Sequence, residues 1–400
     1  TKSGKVVFAN DPHIGYAAPA TWYEAHLKTP GWELYGHHIA GIPFAILGHN
    51  RRMAWGVTML QNDDLDYYRE QANPANPDQV WFRDHWEDLK IIEETISVKG
   101  GEDNPLRVRI SRHGPIINDV VESVEKTEIQ PVALAWEMLK NFENSTEQVF
   151  YELGHSESLA NSRAAVSKLH APGLNINYGD AEGNIAWWGA ARLLIRPEHV
   201  NSFVILDGAS GKDEVLGYRD FSENPQSENP KSGILFNGNN QPGDTGSGLE
   251  PGYYAPEERA HRIGELLNSA KKNWTADEMK SIQLDTKNPR INNFRKHFLT
   301  LISENSGRSE VFRNAADVFK NWDGMHNIKA AGPTIYHRLF YHLSLGIFAD
   351  EIEEKGTLVL LNVLLIDKSI PLLLNNPQSP WWDNVDTPDI RETQAEILRT

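Results

Sequence analysis

Residues 42–59 have the sequence IPFAILGHNRRMAWGVTM. Two apolar runs, 42–47 and 53–59, lie on either side of the turn-forming Gly48-His49-Asn50-Arg51. Short apolar runs bounded by such turns are typical of buried β-strands. The stretch therefore predicts two strands, joined by a tight turn, in the interior of a sheet.

Away from this stretch, strand patterns give way to helix patterns. Strand-like segments lie at 80–83, 89–98, 106–110, 175–178 and 185–189. Helices are predicted at 21–27, 146–153, 159–170, 291–304, 309–322 and 334–345, with another beginning at the capping box Thr275-Ala276-Asp277-Glu278. Ser309 is the expected N-cap of its helix, and Asp180-Ala181-Glu182-Gly183 predicts a hairpin turn. Strands followed by helices indicate an α+β or layered α/β architecture, of which we expect α+β.

The composition excludes several classes of function. The formal charge of -16 and the lack of a basic run argue against a nucleic-acid partner. No cysteine is present, which excludes thiol catalysis, disulfides and thiolate metal sites. The longest apolar run, residues 358–366, is too short to span a membrane and contains Asn362.

Three polar clusters are candidates for chemistry, although each also has an ordinary structural interpretation. Asn10-Asp11-Pro12-His13 is a tight turn by its composition. The carboxylates of residues 63–66 could bind calcium or simply be solvated. Asn237-Gly238-Asn239-Asn240, within the polar stretch 221–251, is an amide-rich turn whose side chains could also donate to an oxyanion.

Histidines raise a separate hypothesis, a zinc hydrolase. His13, His37, His38 and His49 are close in sequence, but they form no HxxxH or HExxH pattern. His37 and His38 would point to opposite faces of a strand. A metal-dependent hydrolase is therefore the less favoured hypothesis.

Taken in order, the motifs resemble those of the penicillin acylase family of N-terminal-nucleophile amide hydrolases. The matching elements are Ala9-Asn10-Asp11-Pro12-His13, Trp22-Tyr23-Glu24, Gly41-Ile42-Pro43, Gly48-His49-Asn50, Ala54-Trp55-Gly56-Val57-Thr58, Asp63 to Asp66, His113-Gly114-Pro115, Gly183-Asn184-Ile185, Asn239-Asn240, Arg259-Ala260-His261-Arg262-Ile263 and Trp322-Asp323-Gly324. Each motif is weak by itself, and their shared order across nearly the whole chain carries the resemblance.

The resemblance implies a four-layer αββα sandwich with an additional helical region. Residues 1–254 would form the strand-rich core with the oxyanion and calcium loops. Residues 255–350 would be helices packed on that core, and 351–400 the C-terminal part of the same domain. Family members are precursors that cut themselves and expose a serine, whose α-amine acts as its base.

That serine is expected about ten residues upstream of Thr1. Thr1 and Ser3 lie too close to Asn10 to take its place, so the chain is expected to be a subunit truncated at both ends and inactive by itself. The expected partner is the small subunit of the same precursor, and the expected compartment is the periplasm or the cell exterior.

The same resemblance assigns roles to individual residues. Asn239 matches the asparagine that stabilises the oxyanion, and the backbone N–H of Met59 matches the second donor. His13 matches a position beside the nucleophile, and Arg262 an arginine that supports the nucleophile's amine and the oxyanion asparagine.

The calcium ligands and the acyl pocket also follow from the resemblance. Asp63, Asp66 and the carbonyl of Leu65 match calcium ligands, Pro197 matches a carbonyl ligand, and Glu250 is the nearest candidate for a later acidic ligand. The positions that line the acyl pocket are aliphatic, which favours an aliphatic acyl group; they are Ile14, Leu47 and Val57. Predicted substrates are acylated small molecules such as penicillins or N-acyl homoserine lactones. The alternative is a relative without catalysis that holds an acylated ligand.

Overall fold

The turn at Gly48-His49-Asn50-Arg51 joins two strands of the structure, a computed structural model that describes residues 1–12, 14–140, 146–243, 249–268, 273–304 and 309–398. Strands run over Leu47–His49 and Met53–Met59. The Asn50 side chain fastens the turn, since its Oδ1 accepts the N–H groups of Arg52 and Met53 at 2.8 and 3.0 Å. Two interior strands are confirmed, although only the end of the first apolar run is a strand.

The chain divides into two compact units, which we describe separately. The first unit comprises Asn10–Leu235 and Pro242–Gly252, and the second comprises Thr1–Ala9, Phe236–Gln241 and Tyr253–Thr400. The strands of the first unit are β1 (Trp22–Thr29), β2 (Trp32–Ile39), β3 (Leu47–His49), β4 (Met53–Met59), β5 (Leu65–Arg69), β6 (Gln71–Asn73), β7 (Asn76–Phe82), β8 (His85–Asp88), β9 (Lys90–Ile96), β10 (Asn104–Ile110), β11 (Val132–Trp136), β12 (Leu174–Asp180), β13 (Ile185–Ala190), β14 (Leu194–Ile195), β15 (Leu206–Asp207), β16 (Gly217–Tyr218) and β17 (Gln226–Glu228). Its helices are α1 (Glu122–Thr127), α2 (Thr146–His155) and α3 (Leu159–Val166).

A seven-stranded antiparallel sheet organises this unit, in the order β1-β2-β3-β4-β12-β13-β17. Helices α2 and α3 pack on one face of it. Phe150 and Leu153 from α2 share a buried cluster with Trp55 of β4 and Trp188 of β13. The Trp32 indole also donates to the carbonyl of Gly154 at 2.9 Å, which ties the sheet to α2. Burying such large side chains supplies most of the free energy that holds these layers together.

The first unit also contains smaller sheets. Strands β11, β5 and β15 form a three-stranded sheet with β15 parallel to β5, and the others pair as β9 with β10, β14 with β16, and β6-β7-β8. The predicted turn at Asp180-Ala181-Glu182-Gly183 joins β12 to β13, and Asp180 Oδ1 accepts the N–H groups of Glu182 and Asn184.

The helix predicted at 21–27 is wrong. This segment is β1, paired with β2 from Trp22 opposite Ile39 to Thr29 opposite Trp32. Pro30-Gly31 provides the two-residue turn between the strands. All eight residues of β1 lie opposite residues of β2. Pairing across the short turn, which the local pattern of residues 21–27 does not encode, therefore decided against the helix.

The described part of the second unit is helical. Its helices are α4 (Glu258–Leu267), α5 (Ala276–Gln283), α6 (Ile291–Glu304), α7 (Glu310–Asn321), α8 (Gly332–Leu360), α9 (Leu364–Leu374) and α10 (Gln394–Ile397). The core contains Phe294, Phe319, Trp322 and Ile347. Non-helical backbone at Glu353, with φ of 61°, kinks α8.

Two predicted helix starts are confirmed in this unit. Thr275 and Glu278 form the expected capping box at the start of α5. Ser309 Oγ accepts the N–H of Phe312 at 3.3 Å and so caps α7. Together with the strand-rich first unit, these helices confirm an α+β chain. None of the helices in the described ranges has the length and apolar character needed to cross a membrane.

Candidate active site

Asn10 is anchored to strand β4 by its side-chain amide. Its Oδ1 accepts the N–H of Val57 at 3.1 Å, and its Nδ2 donates to the carbonyl of Val57 at 3.2 Å. A Cβ atom on Gly56 would lie 2.6 Å from Asn10 Cγ, so only glycine allows this approach. The anchor fixes the start of the Asn10-Asp11-Pro12 turn; His13 lies outside the described residues.

Met59 is the last residue of β4, and a side chain of the neighbouring strand β12 holds its backbone in place. Asn175 of β12 donates from Nδ2 to the carbonyl of Met59 at 3.0 Å and to Thr58 Oγ1 at 3.2 Å. The Trp187 indole donates to Asn175 Oδ1 at 2.9 Å, so the amide has one orientation. Asn175 is buried, and its role was missed from sequence; an asparagine between Leu174 and Ile176 in a strand pattern was the available signal. A backbone fixed in this way suits an oxyanion donor, which must be preorganised.

The predicted pocket residues occupy different environments. Val57 is buried in the core cluster that includes helices α2 and α3, and Leu47 packs against the same cluster. Ile14 is 48% exposed. Leu47 and Val57 are therefore brought together, and the assignment of all three residues to one acyl pocket stays a prediction.

Asn239, in the second unit, has a strained backbone and a fixed side chain. Its φ of 61° is in the left-handed region, which is uncommon outside glycine and concentrates at functional sites. Arg259 Nη2 donates to Asn239 Oδ1 at 2.8 Å and to the carbonyl of Gly238 at 2.7 Å. An arginine has only donors, so it must face the amide oxygen, and Nδ2 lies on the other side. The side chain is thus oriented as a hydrogen-bond donor.

The structure gives the contact with Asn239 to Arg259, whereas the family resemblance assigns it to Arg262. The role of Arg262 toward the nucleophile's amine stays a prediction. Arg262 instead binds Asp285 through Nε at 3.0 Å and Nη2 at 2.8 Å, and it also contacts Glu265. The hydrogen bonds from Arg262 hold the pKa of Asp285 below its usual range. Both arginines lie on α4, and residues three apart on a helix point in directions about 60° apart, so they reach different partners.

An acidic cluster in the first unit surrounds Arg196. The guanidinium lies 3.0 Å from Asp66 Oδ2 and 3.5 Å from Asp63 Oδ2, and it also donates to the carbonyl of Asp63. Glu250 belongs to this cluster. The N–H of Asp63 donates to the carbonyl of Pro251, which follows Glu250 in the chain, and Arg219 lies 3.2 Å from Glu250 Oε2. The structure thus places Glu250 near Asp63.

The carboxyl groups of this acidic cluster have raised pKa values, because burial disfavours their charged forms. Burial raises the pKa values of Asp63 and Asp66. Burial, followed by repulsion from Asp63, raises the pKa of Asp64 to about 6. Burial raises the pKa of Glu250 to about 7 despite the nearby arginines. A cation bound nearby would stabilise the charged forms of these carboxylates.

The carboxylates of this cluster are chemically suited to bind a metal cation. In the structure, however, they are arranged around the Arg196 guanidinium. Asp66 Oδ1 is buried without a hydrogen-bond partner in the structure. Leu65 lies in β5 opposite Trp136, and the carbonyl of Pro197 accepts the N–H of Val200 at 3.0 Å. Across the described ranges, no three His, Asp or Glu side chains converge as metal ligands. The same observation gives the zinc hypothesis no support; among its histidines, His38 is buried and stacked on Tyr23.

Comparisons with known proteins agree with this architecture. The family model for penicillin amidase matches residues 1–400. The chain is 27% identical to an acyl-homoserine lactone acylase, QuiP, of Pseudomonas aeruginosa over 100% of this chain and 50% of that protein. It is 26% identical to penicillin G acylase of Escherichia coli over 83% of this chain and 39% of that protein.

A solved structure shows the same fold. The thermostable penicillin G acylase from Alcaligenes faecalis superposes with a TM-score of 0.73 at 22% identity, covering 87% of this chain and 62% of that one. The expected N-terminal-nucleophile hydrolase fold is thereby confirmed. The chain spans about half the length of the Pseudomonas aeruginosa relative. The match of the family model over its whole length shows that the chain belongs to the penicillin amidase family.

Proposed function

We propose that the protein is an acylase that hydrolyses the linear amide of an acylated small molecule through an acyl-enzyme. The observation that carries the proposal is the Asn239 side chain, which Arg259 orients as a hydrogen-bond donor. Such a donor stabilises the negative oxygen that forms when an amide carbonyl is attacked. The backbone at Met59, held by Asn175, supports the second donor role.

The attacking group in this proposal is an N-terminal serine outside residues 1–400, as the family resemblance implies. The α-amine of the serine takes the hydroxyl proton, and the serine oxygen bonds to the acyl carbon. The C–N bond of the substrate then breaks, and the amine half of the substrate leaves with that proton. Water then attacks the ester, releasing the acid and restoring the serine. Substrates in the proposal are amides with aliphatic acyl groups. The name of one relative, an acyl-homoserine lactone acylase, fits this substrate class.

A substrate panel with Asn239→Ala tests the proposal. The full-length protein is assayed with N-acyl homoserine lactones of several chain lengths and with a phenylacetyl amide. We expect turnover of the aliphatic amides, and a fall in kcat of about 10²–10³-fold in the variant, typical of losing one oxyanion donor. Arg259→Ala should lower kcat less, because the asparagine remains but loses its fixed orientation.

The control is Asn321→Ala, which changes an exposed asparagine at the end of α7 and should leave kcat unaffected. Mass measurement of each variant shows whether it has been processed normally. Binding of the panel without any hydrolysis by processed protein would contradict the acylase and favour the acyl-binding alternative. Turnover of aryl-acetyl amides alone would contradict the aliphatic pocket.

We also propose that the acidic cluster holds calcium, with Asp63 and Asp66 as carboxylate ligands and the carbonyls of Leu65 and Pro197 beside them, as the family resemblance implies. Calcium prefers several oxygen ligands of this kind. Bound calcium would neutralise buried charge, while Arg196 and the aspartates keep the loop in place. Because the guanidinium lies beside Oδ2 of both aspartates, calcium and Arg196 compete for the negative charge of the same two carboxylates.

The proposal extends to the whole protein. Its partner is the small subunit of the same precursor, which should copurify with the chain that carries Asn239. Its compartment is the periplasm or the cell exterior, which fractionation of the producing cells tests directly.

A further inference from the structure

Two imidazole rings meet in the helical unit, in a place that the proposed reaction does not use. The Nε2 atoms of His326 and His337 lie 3.2 Å apart, with the rings inclined at 67°. His326 belongs to the loop after α7, and His337 lies near the start of α8. The two residues come from different elements, so packing of the unit, and not local sequence, brings the two nitrogen atoms together.

The scaffold beneath the pair is rigid. His326 N–H donates to the carbonyl of Thr286 at 3.1 Å, and its ring packs edge-on against the buried indole of Trp322, 5.3 Å between centroids. A Cβ atom on Gly332 would lie 2.3 Å from Trp322 Cγ, so only glycine lets α8 begin against that indole. Tyr336, buried beside His337, fixes the next turn of α8. Both imidazoles are therefore positioned by packed backbone, which reduces the entropy that ligand binding would cost.

We propose that His326 and His337 form a binding site for a divalent transition-metal ion of the zinc class, each donating through Nε2. A zinc–nitrogen bond is about 2.0–2.1 Å, so two nitrogens 3.2 Å apart subtend an angle of roughly 100° at the ion, close to tetrahedral. Imidazole is the ligand that zinc, copper and nickel share. The separation thus suits two ligands of one ion, although the ring centroids, 5.4 Å apart, place the rings nearly end to end, so each must tilt to direct its lone pair at the ion.

The surroundings leave the remaining coordination positions to solvent. His326 lines an open hollow together with Thr286 and Asp323, so water reaches its ring. Within the described residues no third His, Asp or Glu completes a metal site. A two-histidine site of this kind binds an ion reversibly.

A simple hydrogen bond between neutral rings is the competing explanation of the same distance. In that bond one Nε2 carries a proton and the other accepts it. Metal binding requires lone pairs on both, so the proton moves to Nδ1 of the same ring through solvent, with no change in the charge of either imidazole. Uptake of an ion therefore separates the two explanations.

The test is titration of the intact protein with zinc chloride in competition with a chromophoric zinc indicator. His326→Gln and His337→Gln are compared with His342→Gln, which removes another exposed histidine from the same helix. We expect wild type and the His342 variant to bind one more zinc ion than the His326 and His337 variants, or to bind it at least tenfold more tightly. The readout does not depend on acylase activity.

Equal zinc binding by all four proteins would overturn the proposal and leave a hydrogen bond between the rings. Circular dichroism of each variant confirms folding, and the His337 position is exposed, so at least that variant tolerates the change. A loss in only one of the two variants also contradicts a shared site, because both imidazoles are required.

Discussion

Arg196 shows how a single side chain decides the electrostatics of its surroundings. Two buried aspartates and the nearby Glu250 would leave an excess of negative charge, and the guanidinium offsets part of it. Breaking a buried pair by removing one partner typically costs about 3–5 kcal/mol, because the other charge is left uncompensated. An added cation can recover much of that loss.

Arg196→Gln tests the calcium proposal at this scale. Without calcium we expect a lower unfolding temperature than wild type, and with calcium a larger rise than in wild type, because the competing guanidinium is gone. Calorimetric titration should show at least tenfold tighter calcium binding by the variant. Arg51→Gln, which removes an exposed arginine paired with Glu33, is the control and should bind calcium like wild type. The calcium proposal is wrong if calorimetry detects no calcium binding by wild type, by Arg196→Gln or by Asp66→Asn.

At the scale of elements, β4 depends on what lies against its backbone. Asn10 fills the space over Gly56 with two hydrogen bonds to Val57, so the chain ahead of β1 is held against a central strand. Asn175 holds the end of the same strand. Two distant segments of the chain, at Asn10 and Asn175, therefore hydrogen-bond to strand β4, and Gly56 leaves the space that the Asn10 side chain needs.

Gly56→Ala should push Asn10 off the strand. A new Cβ atom at 2.6 Å from the Asn10 side chain cannot be accommodated, and overpacking of this kind costs about 1–3 kcal/mol. Denaturant unfolding at equilibrium measures the loss. Gly154→Ala is the matched control: its Cβ would meet neighbours only at 3.8 Å or more, within a helix, so stability should be unchanged or slightly higher. A Gly56→Ala protein as stable as wild type would show that Asn10 is not docked there.

Over the molecule as a whole, stability should depend on pH through a buried triad in the first unit. His113 contacts Glu70 Oε1 through Nδ1 at 2.8 Å and Glu214 Oε1 through Nε2 at 2.6 Å, and its ring stacks on Tyr68. Burial opposes the charged ring, but the hydrogen bonds with Glu214 and Glu70 outweigh it and raise the pKa of His113. The hydrogen bond from His113 lowers the pKa of Glu214.

These two shifts predict a stability maximum in weakly acidic solution. The contribution of His113 is complete below its unfolded pKa of about 6.5 and is lost as pH rises through its raised folded pKa. The contribution of Glu214 is present above its unfolded pKa and is lost as pH falls through its lowered folded value.

Urea unfolding of wild type and His113→Gln from pH 4 to 9 measures this dependence. We expect the variant to lose about 3 kcal/mol near pH 6, and progressively less as pH rises through the raised pKa of the wild-type His113 ring. His155→Gln, at an exposed histidine of α2, should reproduce the wild-type pH profile. Parallel profiles for wild type and His113→Gln would rule out a charged His113 in the folded protein.

Much of the fold was predictable because its signals are local. The capping box at Thr275, the cap at Ser309 and the turn at Asp180 act within a few residues, and all three formed as predicted. The order of the motifs along the chain also indicates the family, which the family model confirms. Strand β1 is the exception, because a partner strand across Pro30-Gly31 overrode its helix-like pattern.

The candidate site was predictable only in its residue types. The sequence by itself determined the family through its ordered motifs and indicated a chain of strands followed by helices. Through the family resemblance it also named Asn239, Arg262, Asp63 and Asp66. Tertiary structure decided that Arg259 and not Arg262 holds Asn239, and that Glu250 approaches Asp63. It also decided that His326 faces His337. The physical reason is that residue type and local hydrogen bonding are encoded over a few positions, whereas contacts between distant segments depend on how whole elements pack.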